Sequence, residues 1–111
     1  MSEFYKLDEN KNAIPCSLEE WANQLEEMRM NNKKHVSEEM VGNYWVSTVW
    51  LGLNHQFGFG RPLLFETMVF DHDPNSNRNE IYMNRYSTWQ EAEEGHKKAV
   101  KWVKNGCKEE K

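Results

Sequence analysis

Asn54-His55-Gln56-Phe57-Gly58-Phe59-Gly60-Arg61 is the most ligand-like segment of this chain. Gly58 and Gly60 let the backbone approach a bound molecule closely, Phe57 and Phe59 offer flat faces for stacking, and Arg61 suits a phosphate or carboxylate. Asn54 and His55 add hydrogen-bonding groups at its start. The segment is not a phosphate loop, because it lacks the G-x-x-x-x-G-K-[ST] pattern and leads into a strand rather than a helix. The competing reading is a hairpin loop whose glycines meet turn geometry and whose phenylalanines cover the edge of the core.

Glu66 interrupts an otherwise apolar run, Pro62 to Phe70, and a carboxylate in such a place must be paired or protonated. Arg85 or Arg61 would pair with it across strands. Alternatively, Glu66 accepts a hydrogen bond from a base or a ribose hydroxyl. His96 falls on the apolar stripe of the last helical segment and reads as a hydrogen-bonded core histidine, whereas His55 is better exposed. No G-x-S-x-G, H-E-x-x-H, or H-x-E with P-C-x-x-C is present, so a binding role is expected rather than catalysis. Asp71-His72-Asp73-Pro74-Asn75 opens like a calcium loop, but Ser76 and Tyr82 occupy the positions that need glycine and a bidentate glutamate. A polar surface loop over 71–79 is expected instead, with no metal. Cys16 and Cys107 have no C-x-x-C or C-x-x-H spacing and read as free thiols; no cofactor is implied.

The elements that would position these residues follow from periodicity. Phe4 to Leu7, a polar turn and Ala13-Ile14 predict a short N-terminal hairpin. Ser17 with Glu20 forms a capping-box pattern, and Leu18, Trp21, Ala22, Leu25 and Met28 follow as one apolar stripe of a helix. Residues 35–41 predict a weak strand. Tyr44 to Leu53 and Pro62 to Phe70 predict core strands with apolar side chains of both parities, and Ile81 to Tyr86 a third. Thr88 and Glu91 start a second helix striped with Ala92, His96, Ala99 and Val103, stopped at Asn105-Gly106. The order hairpin, helix, strands, helix predicts an α+β fold: an antiparallel sheet of three to five strands with both helices packed on it. One domain over 1–106 and a flexible tail over 107–111 are expected. Aromatic residues on the sheet face away from the helices would need another cover, most simply a second subunit.

The chain has 111 residues, 14 Lys and Arg against 18 Asp and Glu, and a net charge of −4, which argues against a nucleic-acid partner. It carries no leader-like N-terminus and no apolar run able to span a bilayer, so a cytoplasmic protein without membrane contact is expected. Five tryptophans exceed the needs of one small core and suggest that some line an interface or ligand site.

Three runs carry a wider likeness: Val46 to His55 (VSTVWLGLNH), Arg61 to Phe70 (RPLLFETMVF) and Arg85 to His96 (RYSTWQEAEEGH), with Ser17 to Trp21 as a fourth marker. Together they resemble a widespread family of short, uncharacterised bacteriophage and prophage proteins, over about residues 4 to 103. An Asp is common in that family at the position of Asn54, and a short glycine turn at the position of 71–79. The resemblance implies a phage accessory protein acting in the host cytoplasm. Small proteins of that kind often counter host defence, some as homo-oligomeric sponges for nucleotide immune signals, an analogy of size and origin. The expectation is thus a homo-oligomer that captures a nucleotide-like molecule. Trp45 or Trp50 would stack a base, Arg61 and Arg85 meet phosphates, and Glu66 or Asn54 contact a ribose or base edge. The alternatives are a module that docks on a host or phage protein and, further off, a small hydrolase using His55 and Glu66.

Overall fold

A computed structural model describes residues 3–56, 60–75 and 80–108. The chain begins with a two-stranded antiparallel hairpin, β1 (Tyr5–Leu7) and β2 (Ala13–Pro15). Its turn is fixed locally: the Asp8 carboxylate accepts the amides of Asn10 and Asn12, each at 2.9 Å, and Lys11 takes a left-handed φ of 65°. Helix α1 (Leu18–Met30) starts at the expected capping box of Ser17 and Glu20.

The main sheet has four strands in the order β3 (His35–Val41), β4 (Tyr44–Trp50), β5 (Phe65–Asp71) and β6 (Glu80–Tyr86), every neighbour antiparallel. The fold is α+β, as the periodicity predicts. Residues 35–41, a weak strand by pattern, form a full edge strand. The first core strand stops at Trp50, short of Leu53, because the backbone turns at Gly52, with φ 70°. A Cβ there would lie 2.7 Å from the Trp21 indole and 2.9 Å from the Tyr5 carbonyl oxygen, so only glycine fits where the hairpin, α1 and the end of β4 meet.

Of the two helices, only α2 (Trp89–Lys104) covers the four-stranded sheet, touching all four strands; α1 packs on β1. This corrects the expectation that both lie on the sheet. The α1 stripe is too thin to demand burial, with Leu18 57% exposed and Ala22 also exposed. Polar side chains tie it down instead: Gln24 exchanges hydrogen bonds with the Leu7 backbone at 2.8 and 3.0 Å, and the Trp21 indole donates to the Leu51 carbonyl at 3.0 Å. The α2 stripe is buried as expected, at Ala92, His96, Ala99 and Val103. Beyond α2 the amides of Asn105, Gly106 and Cys107 still donate to the carbonyls of Lys101, Val103 and Trp102, at 2.9, 3.0 and 2.9 Å. Both cysteines are free.

Two apolar clusters form the core, one of Tyr5, Trp50, Leu64, Phe65, Tyr86 and Ala92, against which Leu7 and Ala13 of the hairpin and Met28 of α1 also pack, the other of Val46, Val69, Ala99 and Val103 between α2 and the sheet. A polar band crosses the same interface. Thr48 and Thr67 hydroxyls meet at 2.5 Å, Thr48 lies 2.7 Å from His96 Nδ1, and His96 Nε2 lies 3.1 Å from Glu39. With the Glu39 carboxylate as acceptor, Nε2 donates. The Nδ1 of a neutral ring then accepts from Thr48, whose oxygen in turn accepts from Thr67. His96 is therefore the hydrogen-bonded core histidine that its place on the stripe suggests.

Candidate functional site

The loop after β4 is closed at its base by Asn54. Its side-chain carbonyl accepts the amides of Gln56 at 2.8 Å and Leu63 at 3.1 Å, while the His55 amide donates to the Leu63 carbonyl at 3.1 Å. Those bonds give Asn54 a scaffolding role. Phe57, Gly58 and Phe59 lie outside the described residues. Past them the chain delivers Arg61 to the start of α2, where its guanidinium makes two parallel bonds to Glu91, at 3.0 and 2.9 Å. Glu91 also closes the α2 capping box, accepting the Thr88 amide at 3.1 Å. The Arg61 guanidinium, helped by the Thr88 and Ser87 hydrogen bonds and opposed by slight burial, holds the Glu91 carboxyl below the usual carboxylate range.

Beside this pair opens a cleft of about 750 Å³ between the hairpin turn and the start of α2. Asn10, Lys11 and Asn12 line it from the hairpin, Arg61 and Pro62 from the loop, and Ser87, Thr88, Trp89 and Gln90 from the helix start. The buried side chains of Tyr5 and Leu64 also line it. The Lys11 ammonium sits over the Trp89 ring, 4.3 Å from its centroid. The cleft therefore combines an aromatic face, two cations, amides and hydroxyls, with Glu93 as the acid at its rim. Its size falls in the range of small-molecule sites.

Among the described residues, those singled out by sequence do not converge on one pocket. Of these, Arg61 alone lines this cleft. Trp50 is 1% exposed and packs against Phe65 at 4.9 Å in the core, so it cannot stack a ligand; its β-branched and aromatic surroundings predicted burial as readily as display. Trp45, Glu66 and Arg85 lie on the sheet face away from α2. There Trp45 stacks on Phe70 at 5.3 Å, and Glu66 meets Arg85 at 3.0 Å, the cross-strand pair allowed by sequence. Arg61 and Arg85 are each held by a different carboxylate and do not form a joint phosphate site.

Sequence reasoning missed Lys11 and Trp89. Trp89 stood only as part of a helix-start pattern, and Lys11 as one of several polar turn residues; nothing in their spacing shows that the hairpin folds its turn over α2. Among the described residues no three His, Cys, Asp or Glu side chains gather as metal ligands, and no helix is long and apolar enough to cross a membrane. No family model, curated protein or solved structure matches the chain.

Proposed function

We propose that this is a binding protein that holds a small anionic ligand bearing a flat ring, of the nucleotide class, in the cleft between the hairpin turn and α2. The observation that carries this reading is the placement of Lys11 and Arg61 around the Trp89 face in a cavity of about 750 Å³. A ring stacked on Trp89 would displace the Lys11 ammonium sideways, toward the ligand's own negative charge. The Glu91 pair occupies one edge of the Arg61 guanidinium, and its outward N–H groups suit a phosphate. Asn10, Asn12 and Gln90 supply donors and acceptors for the polar edges of the ring or sugar. The resemblance to phage accessory proteins extends the proposal: the ligand is a host nucleotide signal, held rather than turned over.

Calorimetric titration with a panel of linear and cyclic nucleotides tests this. Lys11 and Arg61 are exposed, so Lys11→Ala and Arg61→Ala should leave the fold intact while raising Kd about tenfold or more for any nucleotide that binds. A panel without binding, or binding indifferent to both substitutions, removes the reading.

A further inference from the structure

A second cleft, of about 780 Å³, opens between the hairpin, the end of α1 and the start of β3. The hairpin turn divides its residues between the two cavities: Asn10, Asn12 and Ala13 line the Arg61 cleft, and Leu7, Asp8 and Glu9 line the second. Only Lys11 and Trp89 line both, and these are the two that meet, with the ammonium 4.3 Å from the ring centroid. The wall between the cavities is therefore the side chain of an exposed lysine resting on an aromatic ring, a weak contact where water reaches the ammonium.

The two cavities differ in charge. Lys11 and Arg61 make the first cationic, with Glu93 at its rim. In the second, Asp8, Glu9 and Glu27 stand against Lys33 and the shared Lys11, and His35 is turned to Glu38 at 3.0 Å. Asp8 is engaged by the turn amides, whereas Glu9 and Glu27 are exposed carboxylates. Such groups repel a phosphate but accept hydrogen bonds from ribose hydroxyls and base amino groups. Partly buried Leu7, Met28 and Val36 give this cavity an apolar side as well. Each cleft alone lies within the ~300–1,000 Å³ of a small-molecule site, so a mononucleotide stacked on Trp89 fills only the first.

On the nucleotide reading of the Arg61 cleft, on which this step depends, we infer that the ligand is a dinucleotide spanning both cavities. Its phosphates lie at Lys11 and Arg61, its first ring on Trp89, and its second nucleoside, uncharged at the far end, beside Glu9 and Glu27. When a ring replaces the ammonium over Trp89, the side chain that parts the cavities moves aside and they join. Lys11 then stands at the junction, where the phosphate linking the two nucleosides passes. The reverse orientation is excluded by charge, since it would set the phosphates among three carboxylates.

Calorimetry with matched ligands tests this. For each common base, a nucleoside bisphosphate is compared with the dinucleotide made by joining a second nucleoside to one of its phosphates. The phosphate number is the same in both, so a gain in affinity comes from the second nucleoside. The dinucleotide should bind the wild type about tenfold more tightly or better. A Glu9→Ala/Glu27→Ala variant should lose that gain without weaker binding of the bisphosphate; both side chains are exposed, so its near-ultraviolet circular dichroism should be unchanged. Equal affinity for the two ligands, with Lys11→Ala and Arg61→Ala still weakening both, overturns the dinucleotide and leaves the one-cleft reading standing. A gain that survives in the variant overturns it too, because the second nucleoside then lies outside the second cleft. A wild type that binds neither ligand removes the nucleotide reading itself and the dinucleotide with it.

Discussion

Along β4, Val46, Thr48 and Trp50 point toward α2, while Trp45, Ser47 and Val49, interleaved with them, point away. The two faces use similar residues, each with a tryptophan, a valine and a hydroxyl. On the covered side all three are buried, and the two hydroxyls facing each other there, Thr48 and Thr67, are fully enclosed and bonded to each other and to His96. On the other side Trp45 and Val49 are only partly buried. The difference lies in α2, whose stripe of Ala92, His96, Ala99 and Val103 matches one face in shape and hydrogen bonding. The same residue types thus become core or partly open surface according to whether a helix covers them.

Truncating the two tryptophans should separate the faces most clearly. Trp50→Ala opens a cavity under α2 and should cost about 3–5 kcal/mol, read from the urea midpoint. Trp45→Ala loses mainly its stack on Phe70 and should cost only about 1 kcal/mol. Equal costs would mean that the outer face is as tightly closed as the inner one within a single chain.

The polar band offers a second, smaller test. Thr48→Val keeps the shape but removes the hydroxyl between Thr67 and His96, leaving Nδ1 without its partner in a buried place. The expected loss is about 1–3 kcal/mol. Ser47→Ala, one residue along, changes a hydroxyl on the outer face and should cost less. If Thr48→Val were neutral, the band would be only a tolerated gap between the two apolar clusters.

Much of the covered face was legible in sequence. The α2 stripe and its Thr88 and Glu91 cap follow from spacing, because each depends on residues close in the chain. The outer face was legible only as a surplus of aromatic residues needing cover, since the sequence does not show that α1 would leave the sheet for the hairpin. That choice rests on Gln24 meeting the Leu7 backbone and on Trp21 lying against Gly52, contacts between segments 17 and 31 residues apart that carry no periodic signal. Lys11 over Trp89 is hidden for the same reason. Trp50 shows the reverse limit: an aromatic residue in a two-sided apolar strand fits core and pocket equally, and the packing of the hairpin, α1 and α2 around it decides.

The smallest effect is expected at Tyr86, where the covered face meets α2 most closely. Gly95 is forced by this contact, since a Cβ there would lie 2.1 Å from the Tyr86 ring. The Tyr86 hydroxyl is buried without a hydrogen-bond partner among the described residues. Burial pushes the phenol above its ordinary value, Thr67 and Asn84 opposing it only in part. The fold therefore favours the neutral phenol. Its contribution is complete below the unfolded tyrosine value of about 10 and is lost as pH rises through the higher folded value. Tyr86→Phe should accordingly change stability at neutral pH by no more than about 0.5 kcal/mol, because the ring and its contact with Gly95 remain and no bond is broken. Above about pH 10 the variant should become the more stable of the two, the gap widening with pH in thermal melts. A loss of about 1 kcal/mol or more at neutral pH would instead show that Tyr86 is bonded to Thr67 and extends the Thr67–Thr48–His96–Glu39 band to the far end of the helix–sheet interface.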